Sequence, residues 1–222
     1  MANILAYGMR TVDFGKAIGA DTREVGKGQR EGHPTHVVRV KRTYSTTQVD
    51  LWSAVTQEQR LKRWFGGVSG DLRLGGRFSI EGNADGEIRV CEPPSTLSLT
   101  WEFAGNTSWV TVTMESVEEG TLLTLEHELP TDRESEAHWD QYGPGATGVG
   151  WELALLGMDG YLRSDGRSVI EAGQAWAEGE AGKNRLRSWA KAWGEAHVKD
   201  GAPNQVAMET AQRAADFYTG EG

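Results

Sequence analysis

Apolar and polar residues alternate along two parts of the chain, and this period of two is typical of strands with one buried face. The first part is THVVRVKRTY, where Val38 and Val40 alternate with charged residues. The second runs from Gly70 to Leu129. It divides into GGRFSIEG, GEIRVCEP, TLSLTWEF, WVTVTMES and TLLTLEHEL, with short turn sequences between them. The pattern predicts an antiparallel meander of about six strands in all.

Helical spacing replaces the alternation between these two parts. Thr46 or Thr47 provides a cap for a first helix, and the pair Thr56 and Gln59 has the capping-box spacing for a second short one. Gly66 and Gly67 should end the second helix, since glycine adopts the left-handed conformation at little cost. Trp64 and Phe65 are then expected on its last turn.

A long helix is predicted from the segment GVGWELALLGMDGYL, which has two adjacent apolar stripes. So wide an apolar arc indicates a helix that is packed on more than one side. One long helix held by a curved antiparallel sheet produces such a pattern. The predicted fold class is therefore α+β, with the helix-grip arrangement.

The composition changes on either side of this region. Residues 1–35 have little periodicity and are predicted to be an arm and linker that folding does not need. Residues 166–222 are Ala-rich and predict a helical C-terminal extension, in which Trp176, Trp189 and Trp193 are helically spaced. Three such side chains are too large to leave exposed together, so they should either cover the domain of residues 36–165 or form a homodimer interface.

Charge and composition exclude several classes of partner. The chain has 222 residues and a net charge of −9, with no block of Lys and Arg, which argues against nucleic acid and anionic membranes as partners. No apolar run approaches the ~18 residues that span a bilayer, and no signal peptide is evident, so a cytoplasmic location is expected. Cys91 is the single cysteine, and the five histidines lack metal-ligand spacing. Neither a metal nor a cofactor is expected.

Several segments together resemble a known family. They are VDLWSAVTQEQRLKRWF with the glycines after it, GEIRVCEPPSTLSLTWEF, GTLLTLEHELP and GVGWELALLGMDGYL. Their order and spacing across residues 36–165 resemble the START-like (SRPBCC) superfamily, in its activator of Hsp90 ATPase (AHSA1-like) branch. The resemblance implies a deep apolar cavity between sheet and long helix. Members bind lipids, sterols, polyketides or plant hormones, some cyclise polyketides, and others assist Hsp90, so family membership alone fixes no activity.

The candidate ligand-binding residues are mostly aromatic side chains expected near such a cavity. Plain core packing is the alternative for any one of them. The set comprises Trp64, Phe65, Phe78, Trp101, Phe103, His127, Tyr142, Trp151 and Leu155.

His127 is the one candidate for catalysis. It shares a strand face with Leu125 and Leu129 and should point inward, where an imidazole could orient a ligand or act as a base near neutral pH. The alternative is a core histidine satisfied by a hydrogen bond. No Ser or Cys nucleophile has an obvious spacing to it.

The segment before the long helix is interpreted as a loop. GPGATG has the glycine spacing of a dinucleotide fingerprint, but the polar residues EAHWDQY precede it where a buried strand is needed. A flexible loop beside Tyr142 that gates the cavity fits better. His138 then lies in an acidic loop.

The sequence therefore favours a non-catalytic protein that binds a small apolar or aromatic ligand in an internal cavity. One alternative is an enzyme of polyketide cyclase or aromatase type with His127 as base. Another is a protein-interaction module that stimulates a chaperone ATPase. Such a module should have an exposed docking surface and no ligand-sized cavity.

Overall fold

The alternating segments form one antiparallel sheet, and the helically spaced segments pack against it. A computed structural model describes residues 12–14 and 20–221 of the chain. The strands are β1 (Thr22–Arg30), β2 (His33–Tyr44), β3 (Val68–Gly70), β4 (Arg77–Ile80), β5 (Asp85–Glu92), β6 (Thr96–Phe103), β7 (Asn106–Val117) and β8 (Gly120–Pro130). The helices are α1 (Gln48–Thr56), α2 (Glu58–Leu61), α3 (Arg133–Tyr142), α4 (Gly145–Arg163), α5 (Ile170–Glu178), α6 (Glu180–Lys199) and α7 (Asn204–Thr219).

The strand order in the sheet is β1-β2-β8-β7-β6-β5-β4-β3, and every neighbouring pair is antiparallel. The inward side chains of β2, β7 and β8 pack with the buried side of α4, where Val149, Leu156 and Met158 are inaccessible to solvent. The Tyr44 hydroxyl donates a hydrogen bond to the carbonyl of Leu155 at 3.1 Å and fixes the sheet to this helix. This arrangement confirms the predicted helix-grip fold.

The sheet has two more strands in the described residues than the sequence pattern predicted. β3 has three residues, too few for an alternation to be visible. β1 is an edge strand of mainly charged residues and glycine, and it pairs with β2 along nine positions, from Thr22 with Lys41 to Arg30 with His33. An edge strand that is half open to solvent needs no apolar stripe, and for this reason the pattern missed it.

The assignment of residues 1–35 to a loose arm is therefore wrong for the part of it that the structure describes. Phe14 is buried in the core with 3% of its surface exposed. Arg23 on β1 forms an ion pair with Glu152 on α4 at 2.6 Å. These contacts make the segment part of the folded body. Residues 1–11 and 15–19 of the predicted arm lie outside the described residues.

The two short helices begin close to the predicted positions, but the second ends earlier than predicted, at Leu61, so Trp64 and Phe65 are not on its last turn. Thr47 caps α1, and its hydroxyl accepts a hydrogen bond from the backbone N–H of Asp50. The capping box predicted for α2 is absent, because the Thr56 hydroxyl instead bonds back to the carbonyl of Trp52. α2 is followed by a turn that carries Trp64 and Phe65. Gly66 then leaves the turn with a φ of 147°, which favours glycine.

The predicted acidic loop before α4 is helical instead. The side chain of Asp132 accepts hydrogen bonds from the backbone N–H groups of Glu134 and Ser135, at 3.1 and 2.9 Å. This cap starts α3, which contains His138 and ends at Tyr142. The polar composition concealed the helix because only Trp139 in it is buried. A helix joined to α4 through Gly143 and Pro144 replaces the flexible gating loop.

The C-terminal helices cover the side of α4 that faces away from the sheet. Trp189 and Trp193 of α6 are buried, with 3% and 0% of their surface exposed. The Trp193 ring lies so close to Gly148 of α4 that a Cβ at that position would stand 2.2 Å from it. Trp176 of α5 packs between Phe14 and Trp189, with ring centroids 6.0 and 6.4 Å away. Within this chain, the three tryptophans thus serve as a cover. Among the described residues, none of the helices is both long and apolar enough to cross a membrane.

Candidate ligand-binding site

A cavity of about 400 Å³, here called the outer chamber, lies between the sheet and the first half of α4. Its walls come from the β6–β7 turn with Phe103 and Asn106, the end of β8 with His127 and Leu129, and α3. Helix α4 closes a further side with Ala146, Thr147, Gly150 and Trp151. Helix α7 completes the wall with Phe217 and Tyr218. The volume is in the range that holds small organic ligands, about 300–1,000 Å³.

A second cavity of about 140 Å³, here called the inner chamber, lies deeper between the sheet and α4. Its lining consists of aliphatic and aromatic side chains, with Thr56, Cys91 and Met158 as the exceptions. Leu61, Phe78 and Ile88 belong to a buried apolar cluster beside it. Apolar cavities of about this size in other proteins stay dry and accept a benzene ring.

The two chambers share a wall formed by Phe65, Trp101, Trp151 and Ala154, which line both of them. The rings of Trp101 and Trp151 meet edge to face with centroids 5.2 Å apart. Edge-to-face packing is a favourable aromatic geometry. A ligand in either chamber would therefore contact aromatic rings held in place by one another.

His127 is fully engaged in a chain of hydrogen bonds at the floor of the outer chamber. The indole N–H of Trp151 donates to Nδ1 at 3.0 Å, and Nε2 lies 2.8 Å from Oγ of Ser108. An indole nitrogen can only donate, so Nδ1 accepts and Nε2 carries the proton. The Ser108 hydroxyl therefore accepts from Nε2 and donates to the carbonyl of Trp101 at 3.2 Å. Burial lowers the pKa of His127 to about 3.

The described residues place no aspartate, glutamate, lysine or arginine in the lining of either chamber. The titratable groups that line the outer chamber are neutral at pH 7. Burial lowers the pKa of His138 as it does that of His127, and burial raises the pKa of Tyr218 to about 12. The described lining thus offers apolar surface and neutral hydrogen-bonding groups and contributes no formal charge. Among the described residues, no cluster of three or more His, Cys, Asp or Glu side chains could hold a metal ion.

Eight of the nine candidate residues line one chamber or both. Trp64, Phe78 and Leu155 line the inner chamber, and Phe103 and His127 line the outer one. The remaining three are the aromatic members of the shared wall. Tyr142 lines neither chamber; it packs against His138 and Phe217, with centroid distances of 5.2 and 5.7 Å. Its position at the end of α3 directs it toward α7 instead.

The polar side chains and the C-terminal residues of the outer chamber were not predicted from the sequence pattern. Asn83 lies in a turn, Asn106 is the first residue of β7, and Ser108 lies beside a buried tryptophan on the same strand, so none stood out from its neighbours. Phe217 and Tyr218 come from a helix far from the cavity in sequence. The aromatic pair in FYTGEG was a visible signal, but nothing local shows which element an amphipathic helix packs against.

Comparisons with known proteins agree with this architecture. Residues 45–163 match the family model described as Activator of Hsp90 ATPase homolog 1-like protein. The crystal structure of CalU16 from Micromonospora echinospora is 30% identical, with a TM-score of 0.60, over 77% of this chain and 96% of that one. Its solution structure is 28% identical, with a TM-score of 0.58, over 93% of this chain and 97% of that one. DynU16, a protein of the dynemicin biosynthetic locus, is 25% identical, with a TM-score of 0.52, over 60% of this chain and 48% of that one.

No curated protein sequence gives a significant match. The family model spans more than half of the chain, and strands β3 to β8, the α1–α2 pair and α4 all fall inside the matched residues. The chain therefore belongs to the family of activator of Hsp90 ATPase homolog 1-like proteins, within the START-like superfamily.

Proposed function

We propose that this protein binds a small apolar or aromatic ligand between the sheet and α4 and does not transform it. The observation that carries the proposal is the pair of adjoining chambers, which have an aromatic shared wall and, among the described residues, no charged residue in their lining. Ligand pockets are mostly apolar and aromatic, with a few polar groups that set orientation. Here Asn83, Asn106 and Thr147 of the outer chamber would provide those groups.

The hydrogen bonds of His127 argue against the alternative of a cyclase or aromatase that uses this residue as base. A general base needs a free lone pair within reach of the substrate proton. The free lone pair of the His127 ring is on Nδ1, where it accepts a hydrogen bond from the Trp151 indole. Nε2 carries the proton and donates a hydrogen bond to Ser108. The lowered pKa also makes the imidazole a weak base at neutral pH. The same geometry suits a histidine that holds the shared wall in place.

The chaperone-ATPase alternative is supported by the family description alone. A stimulator of this kind was expected to have a docking surface and no ligand-sized cavity. An outer chamber of about 400 Å³ therefore favours small-molecule binding. We do not propose ATPase stimulation as the function. The binding experiment below distinguishes it from ligand binding.

The test is titration with N-phenyl-1-naphthylamine, an uncharged aromatic probe that fluoresces in apolar surroundings. We expect saturable binding of one probe per chain. Ala154→Leu, which enlarges a side chain of the shared wall, should weaken binding at least tenfold. Ala175→Leu on the exposed face of α5 is the matched control and should bind as the wild type does.

Native mass spectrometry of the protein purified from its own host would identify the natural ligand. Absence of saturable probe binding together with absence of any copurified small molecule would overturn the proposal. Stimulation of an Hsp90 ATPase by such a ligand-free protein would then support the chaperone alternative.

A further inference from the structure

Two exposed phenylalanines lie at the opening of the outer chamber. In the described part of the chain, the exposed large apolar side chains are Val49, Leu74, Phe103, Val117, Val206 and Phe217. The two aromatic ones, Phe103 and Phe217, are 54% and 61% exposed, and both line the outer chamber. Burying apolar surface is favourable, so an aromatic ring left in water at a cavity opening is available to a ligand.

The last turn of α7 is held against this opening by specific contacts. The Tyr218 hydroxyl donates to the carbonyl of Ala146 at 2.6 Å. The Tyr218 hydroxyl packs directly against Gly150. A Cβ added at position 150 would stand only 2.7 Å from the hydroxyl oxygen, so this contact needs glycine. Arg213, earlier on α7, donates from Nε to the carbonyl of Gln141 at 2.5 Å. Phe217 is therefore presented by a fixed helix end and packs on one side against Tyr142.

We infer that the C-terminal helix α7 is part of the ligand site, and that Phe217 and Phe103 contact the outward end of an uncharged, polycyclic aromatic ligand. The inference rests on the proposed function and extends it in two ways. It adds a ligand-contacting residue from outside residues 45–163, the part that matches the family model. It also specifies the class of ligand.

The class follows from the size and chemistry of the lining. The inner chamber has room for about one ring, whereas the outer chamber is almost three times larger and has aromatic side chains at its floor and its opening. Several flat rings would fill it and stack on them. A carboxylate or an ammonium group would find no opposite charge among the described lining residues and would lose its hydration, which is costly. Hydroxyl or carbonyl groups on the ligand can instead bond to Asn83, Asn106 or Ser135.

The experiment compares Phe217→Ala with the wild type in the titration with N-phenyl-1-naphthylamine. Because the ring is exposed, its removal should leave the melting temperature within about 2 °C of the wild-type value. Loss of one aromatic contact should weaken probe binding about three- to tenfold. Phe217→Tyr retains the ring and should bind as the wild type does. Val206→Ala, which removes an exposed apolar side chain at the other end of α7, is the matched control.

A second arm uses 8-anilinonaphthalene-1-sulfonate, which has nearly the same rings and a negative charge. The wild type should bind it at least tenfold more weakly than the neutral probe. Equal affinity of Phe217→Ala and wild type for the neutral probe would overturn the role of α7 while leaving the proposed function intact. Tighter binding of the sulfonate would overturn the uncharged ligand class. Failure of the wild type to bind either probe would overturn the proposed function itself.

Discussion

Trp193 of α6 donates its indole N–H to Oε1 of Glu152 on α4 at 2.8 Å, and both side chains are buried. The same carboxylate accepts two hydrogen bonds from Arg23 of β1, at 2.7 and 2.6 Å, and one from the backbone N–H of Ala20. One carboxylate thus joins the first strand, the long helix and the C-terminal helices. Its hydrogen-bonding capacity is filled, which is the condition under which a buried charge is tolerated.

Replacing Glu152 should destabilise the whole molecule. Glu152→Gln removes the counter-charge of Arg23, whose side chain is 18% exposed, and leaves a partly buried cation without its partner. We expect a loss of about 3 kcal/mol in the free energy of unfolding, measured by urea denaturation. Glu195→Gln, at an exposed position of α6, is the control and should change it by less than about 0.5 kcal/mol. A similar small change for both variants would show that the carboxylate is not a structural link.

Trp64 and Phe65 should differ in their effects on stability and binding. Trp64 lines the inner chamber but not the outer one. Its indole N–H donates to the carbonyl of Ala54 at 3.1 Å, so it anchors the α1–α2 segment. Trp64→Ala should cost about 3–5 kcal/mol of stability. Phe65 lines both chambers, so Phe65→Ala should cost less stability and weaken probe binding more. Thermal melting and probe titration of the two variants test this, and equal losses of stability with unchanged binding would contradict it.

The buried neutral His127 should make stability depend on pH. Its pKa in the folded state is about 3, below the ordinary value of 6.5, so the unfolded chain binds more protons between these two values. The stability due to the neutral ring is complete above pH 6.5 and is lost as the pH falls toward 3, by about 1.4 kcal/mol per pH unit. Unfolding of wild type and His127→Gln between pH 7 and 4 measures it. The variant should show a shallower slope, and parallel slopes would refute the assignment.

The His127 imidazole should cause no change in the probe affinity of the folded wild type from pH 5 to 8, because it remains neutral throughout that range. His138→Gln is the control for the other histidine of the outer chamber, whose pKa burial also lowers. A change in probe affinity near pH 6.5 that is lost in His127→Gln or in His138→Gln would identify the replaced histidine as a charged ligand contact.

A chain that ends at Gly166 should aggregate. It would expose the surface of α4 that Leu186, Trp189 and Trp193 cover, and it would remove the indole partner of Glu152. Contiguous apolar surface of this kind promotes association. Size-exclusion chromatography and thermal melting of the truncated chain provide the measurement. A monomer with unchanged melting would show that residues 36–165 form an independent domain and that the helices after them are dispensable.

The fold was predictable where the spacing of apolar residues in the sequence matches the spacing of buried positions in the strand or helix. The strands from β4 to β8 each have one face toward the core, and α4 has the wide apolar arc of a helix packed on two sides. β1 was not predictable because an edge strand of charged residues is stabilised by its backbone pairing with β2, which leaves no apolar pattern. α3 was missed because its start depends on the single cap residue Asp132.

The candidate site was predictable in its aromatic part and not in its outer wall. Trp101 and Trp151 could be placed at a cavity because each lies on the inward stripe of an element with clear periodicity. The hydrogen bonds that orient the His127 ring join three separate elements, and sequence spacing does not reveal such contacts. The same holds for Phe217, whose role depends on how α7 packs across the end of α4.

The close approach of Trp193 to Gly148 ties the amino-acid choice at one position to the presence of a helix that begins more than thirty residues later. Any side chain at position 148 would push the indole away from Glu152 and detach α6 from α4. Relatives that lack this helix are free of the restriction and can have larger residues there. Across an alignment, glycine at this position should therefore occur together with a tryptophan-bearing C-terminal helix, and a bulky residue should accompany its absence. The residue at position 148 would then predict, even from a partial sequence of the domain, whether the full chain has the C-terminal helices that cover α4.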